Sequence, residues 1–113
     1  VIHFHGYAYT GHGYTDSEIH AGRAPSRYLP IEVDCTSGPD RHLATLNDAM
    51  TWLEAELTRH EPLDAEAFPV KVRLEYSRSR LQQSAGAIVV YGYWSRAGQY
   101  VARRILPCAH CPN

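Results

Sequence analysis

Leu46, Met50, Leu53 and Leu57 follow one another at steps of four, three and four, a spacing that lines one face of an α-helix and predicts a helix over residues 45–60. Thr45 with Asp48 three residues later forms a variant of the capping box. The hydroxyl can accept from the Asp48 amide, and the carboxylate can reach back to the Thr45 amide. His60 in the last turn and Pro62 just beyond it mark the stop. Trp52 stands about a third of a turn off the apolar stripe, so the pattern leaves it either covering the sheet or exposed as a partner anchor.

Elsewhere the period is two. Leu29, Ile31, Val33 and Cys35 alternate with Pro30, Glu32 and Asp34, and Val70, Val72, Leu74 and Tyr76 alternate with Lys71, Arg73, Glu75 and Ser77. Both stretches read as strands with one buried and one wet face. Residues 87–94 are apolar on both faces and rich in β-branched and aromatic side chains, which reads as a central strand. Residues 99–106 follow the turn Ser95-Arg96-Ala97-Gly98 and complete an antiparallel hairpin with it. A short extension over 41–44 is expected to pair with 29–35 across the turn at 36–40, and residues 77–86 read as a polar loop. The fold class that follows is α+β, a single helix packed on one face of an antiparallel sheet of four or more strands. One domain spans 1–113, with residues 1–28 an irregular or edge-strand segment and 107–113 a tail.

A chain of 113 residues with 44% hydrophobic and 20% charged content is long enough to bury a core without staples. The longest wholly apolar run, residues 87–91, is far short of the roughly 18 needed to span a bilayer, and no charged-then-apolar leader opens the chain. No membrane partner is expected, and the location expected is cytoplasmic. Three cysteines, Cys35, Cys108 and Cys111, are an odd set that suits a reducing compartment.

Charge changes the picture. Residues 1–66 hold eleven acidic and four basic side chains, whereas residues 67–113 hold one acidic and seven basic. Such a division steers association rather than fold. A single helix covers only one face of a sheet, so the opposite face and the adjoining hairpins are the expected contact surface. Its candidate residues are Lys71, Arg73, Arg78, Arg80, Tyr91, Tyr93, Arg96, Tyr100, Arg103 and Arg104. Interleaved tyrosines and cations can anchor a protein or stack bases beside phosphates. The pI near 6.7 favours a protein partner, with nucleic acid as the alternative. Strand tyrosines are also common packing residues, and edge arginines discourage aggregation.

Two sets of metal-ligand residues stand out. Strand alternation puts His3 and His5 on one side with Tyr7 and Tyr9, and imidazoles at i and i+2 can converge on one ion, with His12 or His20 as a third ligand. Cys108 and Cys111 have the spacing of half a zinc site, in a segment expected to fray. A metal-dependent or histidine-based hydrolase using His3, His5 and His12 is therefore a further alternative. Asp16 and Glu18 near His12 and His20 read first as turn formers. The chain carries no G-x-S-x-G, H-E-x-x-H, Walker or G-x-G-x-x-G pattern, and no cofactor is expected. The leading expectation is a small non-catalytic domain that docks on a larger macromolecule, in the manner of the accessory regulators or inhibitors of mobile elements. That comparison rests on architecture alone and leaves the oligomeric state open.

Overall fold

The computed structural model describes residues 3–25, 28, 40–83 and 88–108. Four strands, β1 (His3–Gly11), β2 (Arg41–Leu43), β3 (Val89–Trp94) and β4 (Tyr100–Cys108), form one antiparallel sheet in the order β2-β1-β4-β3. Three helices accompany it among the described residues: α1 (Asp16–His20), α2 (Leu46–Arg59) and α3 (Val70–Gln83). The architecture is α+β, with more helix than the single one expected.

Helix α2 forms where the apolar spacing placed it. Thr45 is its N-cap and accepts from the Asp48 amide at 3.1 Å. Its buried stripe of Met50, Leu53 and Leu57 packs on Phe4, Leu43, Val89, Tyr91, Tyr93, Val101 and Ile105 of the sheet. Trp52 is half-buried against this core. A Cβ at Gly6 would come within 3.0 Å of the Trp52 ring, so the bare backbone of β1 is what lets the indole approach the sheet this closely.

Residues 70–77, expected as a strand, are the first two turns of α3, and the expected polar loop at 77–86 is its continuation as far as Gln83. Val70, Leu74, Ser77 and Leu81 recur at four, three and four, so this stretch satisfies the helical period as well as the period of two. Ser77 is fully buried. Its small side chain lets α3 sit close on β3, where its hydroxyl meets the Tyr91 hydroxyl and donates to the Arg73 carbonyl at 2.7 Å. Val72 and Tyr76, which the alternation would have buried, are each more than half exposed.

Two strand positions are also reversed. The N-terminal segment is an inner strand, β1, which pairs with β2 on one side and along its whole length with β4 on the other. The apolar stretch expected to be central is β3, at the sheet edge, where it alternates buried and exposed residues. Pairing between residues far apart in the chain decides this order, and local pattern carries no record of it. The β3–β4 hairpin forms as expected, with Gly98 at φ 79° in its turn. Segment 41–43 pairs with β1, and the expected strand at 29–35 lies outside the described residues. No helix among the described residues is long and apolar enough to cross a membrane.

Candidate functional site

Directly opposed residues of neighbouring strands share a sheet face. Ala8 opposes Arg103, which opposes Tyr91, and Thr10 opposes Val101, which opposes Tyr93. These side chains face the helices. His3 opposes Cys108, His5 opposes His42, and Trp94 opposes Tyr100, and these belong to the outer face.

This register disperses the arginine and tyrosine surface expected from the sequence. Tyr91 and Tyr93 are buried under the helices, where Tyr93 donates to the His60 carbonyl at 2.6 Å and Tyr91 to that of Arg73 at 2.7 Å. Arg103 is buried with them. Its guanidinium donates to the carbonyls of Tyr9 and Ala102 and to the Thr10 hydroxyl, all at 2.8 Å. Lys71, Arg73, Arg78 and Arg80 lie on α3, where Arg73 sits over the Phe68 ring, Arg78 donates to the Asn47 side chain and Arg80 donates to the Ile88 carbonyl. Arg96 is on the hairpin turn, 3.5 Å from Glu61. Only Tyr100 and Arg104 of the ten are on the outer face.

One end of the outer face is aromatic. Tyr28 stacks on Tyr100 at 5.0 Å and meets Tyr9 and Tyr14 edge-on, and its hydroxyl accepts from the Tyr14 amide. Segment 12–14, before the capped turn of α1 at Thr15, is thereby folded back over the sheet. His12 belongs to this end, packed on Tyr14. Nine strand residues rise about 30 Å, so His12 is far from His3, and the expected grouping of His3, His5 and His12 is not assembled.

The other end is the polar cluster of His3, His5, His42 and Cys108. The ligand atoms of His3, His5 and Cys108 all lie within 4.8 Å of one another, and the Nε2 atoms of the two histidines are 3.0 Å apart. His5 is buried, whereas His3 and Cys108 are half-buried and His42 is exposed, its ring 5.0 Å from that of His5. Burial, with the neighbouring His3 and His42 rings, holds His5 below the usual histidine range. Cys108 is the last residue of β4 rather than part of a tail, and Cys111 lies outside the described residues. The sequence pairs His3 with His5, but His42 and Cys108 join them only through strand register.

A second feature is the outer edge of β3. The Ser95 amide turns inward to the Gln99 carbonyl, whereas the Trp94 carbonyl points off the sheet and accepts from the Leu63 amide at 2.8 Å. By the period of two, the amides and carbonyls of Val90 and Gly92 also point off the sheet, where no described strand pairs with them. Ile88, Val90 and Trp94 are 40–49% exposed along this edge, and Tyr76 of α3 is 57% exposed beside it. A groove of about 360 Å³ runs between Tyr76 and Arg80 on one side and residues 88–91 on the other. No known family, curated protein or solved structure matches this chain. The site is therefore read from its own chemistry. Of these edge residues only Arg80 and Tyr91 belonged to the expected surface, because exposure of apolar side chains cannot be told from burial in a sequence.

Proposed function

We propose that this domain is a non-catalytic binding module that accepts an extended, acidic segment of a protein partner as an added strand on the edge of β3. The observation that carries this reading is the row of main-chain groups at Val90 and Gly92 that no described strand pairs with, bordered by exposed apolar side chains. An added strand would satisfy those groups and cover Ile88, Val90 and Trp94. The adjoining helix α3 carries Lys71, Arg73, Arg78 and Arg80 against one acidic residue, Glu75, which favours a negatively charged segment. A protein partner is preferred over nucleic acid because Tyr91 and Tyr93, which would stack bases, are buried.

The test uses labelled peptides that alternate glutamate with β-branched residues, and proline-interrupted versions of them, with binding followed by fluorescence anisotropy. The continuous peptides should bind saturably, more weakly as salt is raised, and the interrupted ones should not. Val90→Pro removes an outward amide at an edge position where proline is tolerated, so it should abolish binding while leaving the fold intact. Binding unchanged by Val90→Pro, or an edge occupied by a second copy of the chain in a concentration-dependent dimer, would overturn the proposal.

A further inference from the structure

The geometry points to a binding site for a zinc-class divalent transition-metal ion, formed by His3, His5 and Cys108 on the outer face of the sheet. This site is independent of the β3 edge, since β1 and β4 supply all three ligands. The donor set comes first. Two imidazole nitrogens and a thiolate suit zinc, cobalt or copper, whereas magnesium and calcium take oxygen ligands. The spacing comes second. A tetrahedral ion with bonds of about 2.0 Å to nitrogen and 2.3 Å to sulfur holds its ligand atoms roughly 3.3 to 3.7 Å apart. The histidine nitrogens are 3.0 Å apart and the whole cluster falls within 4.8 Å, so side-chain rotations are enough to close it.

The scaffold is the third argument. His3 and His5 share a face because they are two residues apart on one strand, and Cys108 is directly opposite His3 on the next. The three ligands are therefore placed by a paired sheet and not by a loop, and a site so held is largely formed before the ion arrives. The fourth argument is the direction of the ring nitrogens. The two Nε2 atoms face each other across 3.0 Å, with donor and acceptor roles set by the tautomer. A cation between them would engage both lone pairs at once, and the thiolate would offset part of its charge. Water or a partner side chain would fill the remaining coordination position.

The experiment uses the full chain without an affinity tag, stripped with a chelator and titrated separately with zinc and cobalt(II). One equivalent should bind, with a thiolate-to-cobalt charge-transfer band and the intense visible bands of a tetrahedral ion. Cys108→Ser, with Cys35 and Cys111 intact, should remove the charge-transfer band while circular dichroism shows the fold retained. His3→Ala should weaken binding by more than about a hundredfold, since even outer-shell partners are worth 10- to 100-fold. His12→Ala and His20→Ala should leave affinity unchanged. Absence of saturable binding, a cobalt spectrum without the thiolate band, or affinity that survives both Cys108→Ser and His3→Ala would overturn the assignment. His3 and Cys108 are half-buried, so these variants avoid the folding risk of replacing the buried His5.

Discussion

Glu56 of α2 reaches across the core to Arg103 of β4, with Oε1 3.4 Å from Nε and both residues less than 10% exposed. The acidic half of the chain thus meets the basic half inside the fold as well as on its surface. Arg59, largely exposed, supplies a second cation 3.0 Å from Glu56. The buried pair fixes α2 on the sheet, because a charge left alone there has no water to turn to.

Glu56→Ala should therefore destabilise the fold by about 3 to 5 kcal/mol, the range for breaking a buried ion pair from one side. Replacing both partners with apolar residues, Glu56→Leu with Arg103→Met, should recover much of that loss. Urea denaturation of the single and double variants measures both, and additive losses would contradict the pairing.

Leu53 is fully buried at the centre of the α2 stripe. Leu53→Ala should cost about 2 to 5 kcal/mol through lost burial and an unfilled cavity. A change under about 0.5 kcal/mol in the same denaturation experiment is the behaviour of a surface site and would contradict this packing.

The two tryptophans should report different environments. Trp52 packs over Gly6, whereas Trp94 is 49% exposed on the sheet edge. Acrylamide should quench the emission of a Trp52→Phe variant, which keeps Trp94, more strongly than that of Trp94→Phe. The reverse order would place Trp52 in solvent.

Burial pushes the Tyr93 phenol up to about 12 from its ordinary 10.0, and it also raises Tyr91 and Tyr100. The fold favours the neutral phenol, while the unfolded chain ionises at the ordinary value. Stability should be intact below pH 10 and should fall between 10 and 12, by at most about 1.4 kcal/mol per pH unit for each such group. Tyr93→Phe should make the alkaline loss shallower while lowering stability at neutral pH, because the His60 carbonyl loses its donor. Unfolding midpoints on either side of that range provide the check.

Local chemistry was legible wherever neighbours in the chain are neighbours in space. The 4-3-4 stripe of Leu46, Met50, Leu53 and Leu57, the Thr45 cap, the Gly98 turn and the shared side of His3 and His5 all follow from spacing within a few residues. Residues 70–77 were ambiguous for a physical reason. Val70 and Leu74 satisfy both periods, and it is the burial of Ser77 against Tyr91 and of Leu81 in the core that settles the helix.

What the sequence by itself determined is an amphipathic helix, a hairpin, the alternation of β1 and the uneven charge. Tertiary structure decided the rest: that β1 is inner and β3 is the edge, that Tyr91, Tyr93 and Arg103 are buried, and that Cys108 comes to rest beside His3 and His5. The reason is that strand order and register are set by contacts between segments distant in the chain. A period of two fixes which residues share a side, but only the pairing of whole strands selects which side is covered and which residues from elsewhere stand opposite.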